Sequence, residues 1–375
     1  MSNILYKNYY TDSFQKETKY ILAGFDLDHT IIKPKSGNVF PKDKDDWVIL
    51  YSEIKMKLQS IPNNTIIVIF SNQKGLKISE NDFINKIDNI QLLLGVKFIF
   101  IAALEDDIFR KPRIGMYKYI KQHLEIKFNK KESFYVGDMA GRSNDKYDTD
   151  LKFAKNIKAN FMTPEMYFLN KNKEEYKLSG YLLNNTNIYM NLNLNISNKS
   201  MVIISGYPGS GKSFLAKELI ENNNKITLIS KDIYKNKFDN ILQEKLEKSE
   251  SIIVEGLYYN NINRMKLKEL ASIYDYTTVY IHVTTNYDLS YHLNLYRKLY
   301  ENKNYQLGSS APPTNVPDKL LTTSQLGSSA LPTNVPEIVF MKYRKMFEPI
   351  NNNDWNEYYE YHPNINDKIN KYFLY

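Results

Sequence analysis

The chain has 375 residues, of which 42% are hydrophobic and 25% charged, a balance that predicts folded domains and excludes a disordered or collagen-like chain. Its formal net charge of +8 permits a phosphate-rich partner such as nucleic acid but does not identify one. Cysteine is absent, which excludes disulfides and a cysteine nucleophile, and the sequence contains neither a secretion signal nor a membrane-length apolar run. We therefore expect an intracellular protein with no membrane partner, in either the nucleus or the cytoplasm.

The first part of the chain alternates short apolar runs with longer amphipathic stretches. After an N-terminal extension over residues 1–19, this pattern predicts a domain over residues 20–170 that consists of a parallel sheet flanked by helices. The predicted strands are 20–25, 65–70, 96–103 and 133–137, and the predicted helices are 47–59, 80–94 and 114–124.

An Asn- and Lys-rich stretch over residues 171–199 is predicted to be a linker, and a second α/β pattern follows over residues 200–375. Its predicted strands are 201–205, 226–230, 251–256 and 277–284. The segment "QLGSSAPPTNVP" recurs as "QLGSSALPTNVP", so that residues 306–336 are expected to form a long loop with a duplicated segment. The predicted fold class is α/β, with two domains.

Polar side chains follow each predicted strand of the first domain, at the sheet edge where ligands bind in open α/β folds. They are Asp26, Asp28 and Thr30; Ser71, Asn72 and Gln73; Arg110, Lys111 and Arg113; and Asp138, which follows Gly137. This set suits phosphoryl transfer to water. Asp26 is the expected nucleophile beside Mg²⁺, Asp28 the general acid and base, and Ser71 and Lys111 the groups that hold the phosphoryl oxygens.

The second domain begins with the most specific motif of the chain, "GYPGSGKS", which directly follows a predicted strand. This is the pattern of a phosphate-binding loop, in which glycines let backbone amides surround the phosphates of ATP. Lys212 is expected on the β- and γ-phosphates, Ser213 on Mg²⁺, and Asp232 as the base toward an incoming hydroxyl. The glycines of the loop are Gly206, Gly209 and Gly211.

The motif "DLDHT" resembles the nucleophile motif of haloacid dehalogenase-superfamily phosphatases, and "IFSNQKG", "RKP" and "VGDMAGR" continue the agreement in order. More narrowly, "SGNVFP", "DWVILY" and "RKPRIGM" are similar to the phosphatase domain of the polynucleotide kinase 3′-phosphatase family. The resemblance implies that Asp26, Asp28 and Asp138 are the metal-site carboxylates and that Lys111 balances their charge. His29 stands where the family usually has Gly, and we expect it to be a surface turn residue.

The segments "HLNLYRK" and "VPEIVFMKYRKMFEPI" resemble the lid and C-terminal helix of the kinase domain of the same family. This implies a haloacid dehalogenase-like Rossmannoid sheet followed by a P-loop kinase sheet, with Asp232 as the base toward a 5′-hydroxyl and Arg297 as the lid arginine. Two features depart from the family: Glu255 and Gly256 stand where it carries Asp-Asn-Thr-Asn, and the duplicated segment lengthens the lid.

The function implied is a bifunctional end-healing enzyme. It removes 3′-phosphates through an aspartyl-phosphate, phosphorylates 5′-hydroxyl ends with ATP and Mg²⁺, and acts in strand-break repair, with DNA favoured and RNA left open. The family's forkhead-associated module, which recruits phosphoprotein partners, is not expected. Two alternatives stay open: a small-molecule phosphatase fused to a nucleoside or metabolite kinase, whose KM would vary little with salt, and a non-catalytic nucleic-acid-binding protein.

Overall fold

The computed structural model describes residues 3–39, 41–183, 192, 194–223, 226–301, 335–363, 365 and 368–375. The chain divides into two compact units: unit 1 comprises Met1–Leu183 and Asn370–Tyr375, and unit 2 comprises Asn184–Ile369. The duplicated segment predicted to form a loop lies, except for Val335 and Pro336, outside the described residues.

Unit 1 contains nine strands and five helices in its described residues. They are β1 (Ile4–Asn8), β2 (Lys19–Phe25), β3 (Ile32–Lys33), β4 (Val48–Ile49), α1 (Glu53–Gln59), β5 (Thr65–Asn72), α2 (Glu80–Leu94), β6 (Ile99–Ala103), α3 (Gly115–His123), β7 (Lys127–Phe128), β8 (Phe134–Val136), α4 (Thr149–Ile157), β9 (Asn160–Met162) and α5 (Pro164–Leu169). The main sheet has the order β1-β6-β5-β2-β8-β9, with β7 beside β2. Its strands pair in parallel except for β1, which is antiparallel to β6.

The central strands of unit 1 are buried on both faces because helices cover the sheet on each side. Along β5, Ile66 and Val68 join one apolar cluster and Ile67 and Ile69 the other. Successive side chains of a strand point to opposite faces, and burial of each such side chain contributes roughly 1.5–3 kcal/mol. This explains why the strand reads as a continuous apolar run without alternation.

Three boundaries of unit 1 differ from the sequence predictions. Residues 1–19 are not a separate extension, because β1 adds an edge strand whose Ile4 and Leu5 enter the two apolar clusters. The helix predicted over 47–59 begins only at Glu53, since Val48–Ile49 pair with Ile32–Lys33. Part of the predicted linker packs on unit 1, where the Lys177 amide donates to the Gly141 carbonyl at 2.9 Å.

Unit 2 forms a five-stranded parallel sheet in the order β11-β12-β10-β13-β14. Its elements are β10 (Ser200–Gly206), α6 (Lys212–Asn222), β11 (Ile226–Ser230), α7 (Lys231–Tyr234), α8 (Phe238–Glu247), β12 (Ser251–Glu255), α9 (Asn261–Ile273), β13 (Thr277–Val283), α10 (Tyr287–Tyr296), α11 (Glu337–Met346) and β14 (Glu357–Tyr361). A π-helical turn at Arg297–Glu301 extends α10. The central strand, β10, leads directly into the glycine-rich loop.

The two sheets, one parallel and one parallel except for its edge strand β1, are flanked by helices and confirm the predicted α/β class. Strand β14 was not predicted, and the segment Asn370–Tyr375, assigned by sequence to the second domain, belongs to unit 1. Within the described part of the chain, every helix is too short or too polar to span a membrane.

Candidate active sites

The centre of the unit 1 site is the ammonium group of Lys111, which lies among buried acidic and phenolic oxygens. Its Nζ donates to Asp26 Oδ1 at 2.5 Å, to Asp150 Oδ1 at 2.8 Å and to the Tyr135 hydroxyl at 2.9 Å. Asp26 directly follows β2, and Asp150 lies in the first turn of α4. The side chain of Lys111 is only 3% exposed, so these contacts replace the water that an ammonium group requires.

The backbone around Lys111 is held by a pair of hydrogen bonds to the end of β5. The Lys111 amide donates to Asn72 Oδ1 at 2.8 Å, and Asn72 Nδ2 donates to the Lys111 carbonyl at 3.2 Å. The peptide bond from Lys111 to Pro112 is cis. Asn72, which the sequence placed in a polar cluster after a strand, therefore fixes the segment that presents the lysine.

Glycines make room for two of the buried partners. A Cβ atom on Gly24 would lie 2.8 Å from Tyr135 Cδ2, and one on Gly137 would lie 2.5 Å from Asp150 Cγ. Both distances are shorter than any ordinary carbon contact. The glycine of the "VGD" motif is thus required so that the α4 carboxylate can approach the end of β8.

Three carboxylates of the site could together hold a metal ion. One oxygen atom each from Asp26, Asp138 and Asp150 lies within 4.8 Å of the others. Carboxylate oxygens are the ligands that Mg²⁺ prefers. The cluster differs from the predicted set, because Asp150 is its third member and the carboxylate of Asp28 is not part of it. The sequence analysis does not predict Asp150, because this residue lies 124 residues along the chain from Asp26 and outside the motifs quoted above.

The charge of this cluster shifts the acidities of its members. Burial raises the pKa of Asp26 well above its usual range; Asp150 and Asp138 raise it further, against Lys111. Burial and the nearby Asp150 raise the pKa of Asp138 to about 7. Burial alone would lower the pKa of Lys111, but Asp150 and Asp26 outweigh it and raise that pKa. Lys111 therefore stays charged, and its single positive charge does not balance the three carboxylates around it.

Asp28 belongs to a neighbouring hydrogen-bonded group. Gln73 Nε2 donates to Asp28 Oδ2 at 2.7 Å and to the Ser71 hydroxyl at 2.8 Å. Two of the predicted residues, Asp28 and Ser71, are thereby connected through one amide. The carboxylate of Asp28 is therefore oriented by a neutral donor and lies outside the cluster of Asp26, Asp138 and Asp150.

Lys86 on α2 is a second cation near Asp28, and the sequence prediction missed it. Its side chain is buried, with Nζ 5.5 Å from the Phe83 ring centroid. Burial lowers its pKa, and the charges of Asp28 and Asp46 oppose that shift. The only sequence signal was a lysine on the apolar face of an amphipathic helix.

His29 adopts a left-handed backbone conformation with φ of 56°. This is the region that favours Gly, which the family usually has there. Its ring Nε2 lies 3.2 Å from the Val39 carbonyl oxygen, in an exposed contact. The geometry agrees with a turn residue.

In unit 2, the loop between β10 and α6 wraps around its own lysine. Lys212 Nζ donates to the carbonyls of Gly206 at 3.1 Å and Tyr207 at 2.6 Å. Gly209 and Gly211 have φ of 71° and 100°, and a Cβ on Gly209 would lie 2.8 Å from the Ser290 carbonyl oxygen. Only glycine therefore fits at position 209 of the loop without strain.

The remaining predicted residues of unit 2 gather around Lys212. Burial lowers the pKa of Lys212 to about 8; Glu255 and Asp232 raise it, and Arg297 lowers it. Asp232 is exposed in the first turn of α7, and Arg297 begins the π-helical turn after α10. The structure thus brings the predicted base and the predicted lid arginine into the electrostatic range of the loop lysine.

Glu255, which the sequence analysis describes only as a departure from the family pattern, lies next to Ser213 in this site. It ends β12, the neighbour of β10, and its Oε1 accepts the Ser213 hydroxyl at 2.7 Å. A hydroxyl and a carboxylate in this relation form the pair that holds Mg²⁺ in P-loop enzymes. The departure from the family pattern therefore retains a carboxylate next to the predicted metal-binding serine.

Fold and sites together define a class: proteins with a carboxylate-and-lysine phosphatase-type site at the edge of one parallel sheet and a phosphate-binding loop at the edge of a second. The sequence profile described as Polynucleotide kinase 3 phosphatase matches residues 21–168. The chain is 34% identical over 303 residues to the "Bifunctional polynucleotide phosphatase/kinase" of Schizosaccharomyces pombe, covering 77% of this chain and 73% of that protein.

Two other relatives agree. A protein of Acanthamoeba polyphaga mimivirus, "Putative bifunctional polynucleotide phosphatase/kinase", is 32% identical over 74% of this chain and 76% of its own length. The "Polynucleotide 3'-phosphatase" of Saccharomyces cerevisiae is 32% identical over 38% of this chain and 85% of its own length. The chain belongs to the bifunctional polynucleotide phosphatase/kinase family, which confirms the resemblance found in its motifs.

Proposed function

We propose that the protein heals nucleic-acid ends, removing 3′-phosphates in unit 1 (Met1–Leu183 and Asn370–Tyr375) and phosphorylating 5′-hydroxyls in unit 2 (Asn184–Ile369). One observation carries this proposal: the similarity to a bifunctional polynucleotide phosphatase/kinase extends over 77% of the chain. The contact of Lys111 with Asp26 in unit 1 and the charges of Glu255, Asp232 and Arg297 that act on Lys212 in unit 2 support it.

In the phosphatase reaction, one carboxylate oxygen of Asp26 attacks the phosphorus atom and the bond from phosphorus to the 3′-oxygen breaks. Asp28 gives its proton to the departing oxygen. Water then attacks the phosphorus, Asp28 takes the proton of that water, and the bond to Asp26 breaks to release inorganic phosphate. Lys111 and Ser71 hold the phosphoryl oxygens as their charge grows.

The acidic cluster of unit 1 fits Mg²⁺ because three carboxylates face one ammonium group and carry excess negative charge. Asp26, Asp138 and Asp150 would hold the ion. When bound, it neutralises the charge that two approaching anions share. Asp28 stays available for proton transfer since Gln73 Nε2, and no acidic group, is its 2.7 Å partner.

In the kinase reaction, the 5′-oxygen of the substrate attacks the γ-phosphorus of ATP, and Asp232 takes the hydroxyl proton while ADP leaves. The amides of the loop from Gly206 to Ser213 surround the phosphates, and Lys212 turns from its loop carbonyls to the β- and γ-phosphates. Arg297 stabilises the transferred group. Ser213 and Glu255 would hold the Mg²⁺ that accompanies ATP.

The products of the two reactions are a 3′-hydroxyl and a 5′-phosphate, which are the ends that a ligase joins. We therefore place the enzyme in strand-break repair, with DNA as the favoured substrate. The alternative of a metabolite phosphatase fused to a metabolite kinase loses support, because the named relatives are polynucleotide enzymes over both parts of the chain.

Oligonucleotides that carry either a 3′-phosphate or a 5′-hydroxyl, incubated with Mg²⁺ and with or without ATP, test this function. We expect Asp26→Asn to abolish 3′-phosphate removal and leave 5′-phosphorylation intact. Lys212→Ala should have the reverse effect, so each variant is the folding control of the other. Modification of small phosphomonoesters and nucleosides, but of neither oligonucleotide end, would contradict the proposal.

A further inference from the structure

The segment Asn370–Tyr375 belongs to unit 1, although the residues directly before it along the chain belong to unit 2. We refer to this segment as the strap. Its Phe373 and Leu374 are buried, and Tyr372 packs against the apolar cluster of unit 1. The strap is therefore part of the unit 1 core, more than 180 residues along the chain from the remainder of that unit.

Asn156 of α4 joins the strap to the segment that presents Lys111. Its Oδ1 accepts the Phe373 amide at 2.9 Å, and its Nδ2 donates to the Phe373 carbonyl at 2.9 Å. The same Nδ2 donates to the Pro112 carbonyl at 2.8 Å. One buried amide thus binds the strap on one side and the residue after Lys111 on the other.

Arg113 makes a second connection two residues beyond Lys111. Its Nε donates to the Leu374 carbonyl at 3.0 Å, and its Nη1 donates to Asp106 Oδ1 at 2.6 Å and to the Asp107 carbonyl at 2.8 Å. The guanidinium is buried, so each of these contacts satisfies a group that water cannot reach. The strap supplies one of these three acceptors.

Lys152 connects the strap to the helix that carries Asp150. Its Nζ donates to the backbone oxygen of Tyr375 at 2.7 Å and pairs with Asp148 Oδ1 at 2.9 Å, and it lies 5.4 Å from the Tyr375 ring centroid. Its side chain is only 1% exposed. A buried ammonium group needs such partners, and the strap supplies one of them.

The strap therefore contacts both segments whose side chains meet at Asp26: the segment around Lys111 and helix α4 with Asp150. We propose that the strap is a positioning element of the 3′-phosphatase site, which sets the distance between Lys111 and Asp150. This inference rests on the phosphatase function proposed above. Displacement of a catalytic group by about 1 Å costs on the order of 100-fold in rate, so loss of the strap reduces turnover more than substrate binding.

Deletion of residues 370–375 from the two-unit chain tests the proposal. We expect kcat for 3′-phosphate removal to fall at least about tenfold with KM nearly unchanged, and the Mg²⁺ concentration for half-maximal activity to rise. Kinase activity in the same preparation should be unchanged. Hydrogen exchange should quicken at the Lys111 and Arg113 amides, and the free peptide NKYFLY should restore turnover in trans, whereas a scrambled peptide should not.

Two substitutions serve as comparisons. Lys371→Ala removes an exposed side chain of the strap and should behave as the unaltered protein. Asn156→Asp keeps an acceptor for the Phe373 amide but loses both donations, and its kcat should lie between those of the unaltered and deleted proteins. This variant keeps the test decisive if the deletion protein unfolds.

Unchanged turnover and unchanged exchange after the deletion would overturn the strap proposal. A second result would also overturn it: the deletion protein loses activity only at temperatures where it unfolds, the peptide does not restore that activity, and Asn156→Asp keeps full activity. Failure of the unaltered protein to release 3′-phosphate would instead overturn the proposed function, and the exchange comparison would still decide the role of the strap.

Discussion

Lys111 brings one positive charge to a site where Asp26, Asp138 and Asp150 bring three negative ones. If all four groups are ionised, the difference of three and one leaves two negative charges in a buried volume. Burial first, and this excess of negative charge second, raise the pKa values of Asp26 and Asp138, and the excess matches the charge of one divalent cation. A charge imbalance of this kind is typical of a functional site more than of a structural ion pair.

At Lys212 the pKa shift has the opposite direction, in a buried cation that we propose binds the phosphates of ATP. Burial lowers its pKa from the ordinary 10.5 to about 8. Between those two values the unfolded chain binds more protons than the folded one, so this group's contribution to the free energy of unfolding rises with pH across that window. The phosphates of ATP favour the charged form, so nucleotide binding raises this pKa again.

ATP binding is therefore expected to take up a proton at pH values above about 8. We predict that the Kd for ATP is nearly constant below pH 8 and rises up to about tenfold per pH unit above it. Calorimetry in buffers of different ionisation enthalpy measures both the affinity and the proton uptake. Lys212→Arg keeps a permanent charge and should bind ATP, although less tightly, without this pH dependence. A Kd for the unaltered protein that is constant from pH 7 to 9.5 would contradict the prediction.

At the scale of elements, the unit 1 site depends on how closely helix α4 approaches strand β8. Gly137, one residue past β8, permits this approach because Asp150 fills the space that a side chain would need. The contact is between residues 13 apart in sequence, and it carries the carboxylate that completes the acidic cluster.

Gly137→Ala should therefore separate the helix from the strand. The added Cβ would lie 2.5 Å from Asp150 Cγ, and overpacking of this kind costs about 1–3 kcal/mol in the free energy of unfolding. We expect 3′-phosphatase activity to fall at least about 100-fold through displacement of Asp150, while kinase activity stays the same.

Gly37→Ala is a control for loss of stability without crowding: its φ of 76° strains an alanine by roughly 1–2 kcal/mol, but no atom lies within 4 Å of a Cβ at that position, so phosphatase activity should be retained. Thermal unfolding and the two end-modification assays measure the effects. Full phosphatase activity in Gly137→Ala would show that α4 can shift without loss of the site, which would weaken the assignment of Asp150 to it.

Helices and strands were predicted well where apolar runs were long and buried on both faces, as in β5 and β10. The predictions were wrong where short elements pair with distant ones. Strand β4 has two residues and exists only because it pairs with β3, and β14 is a partly exposed strand rich in Tyr and Glu that lacks an apolar run. Such elements are stabilised by their partners and not by their own sequence pattern.

At the scale of the whole molecule, binding of a polynucleotide substrate should depend on salt concentration, because such a substrate carries many phosphates. Each phosphate that the protein neutralises releases counterions, so binding weakens as salt increases. The net charge of +8 favours such contacts without fixing where they lie. A small phosphomonoester has one phosphate and should show almost none of this effect.

We predict that KM for a single-stranded 3′-phosphorylated oligonucleotide rises about 20-fold between about 50 and 200 mM salt, as roughly three phosphate contacts require. KM for p-nitrophenyl phosphate should change less than about twofold over the same range. The second substrate uses the same chemical groups and controls for salt effects on them. Equal salt dependence of the two substrates would favour the metabolite phosphatase alternative.

The sequence by itself determined the α/β class and the order of the two units, and it predicted most side chains of the two proposed sites. It did so because catalytic groups in open α/β folds follow buried strands, and buried strands and glycine-rich loops are legible in local sequence. Lys111, Ser71 and Asp232 were all predicted in this way.

Only the tertiary structure decided which carboxylates meet. Asp150 joins Asp26 across 124 residues, Glu255 accepts from Ser213 across 42, and the strap binds Asn156 across 217. These contacts form because packing of helices and strands brings distant segments together, and no local period or motif encodes such a pairing. Burial of the polar groups then requires that each find a partner, which fixes the geometry of the sites.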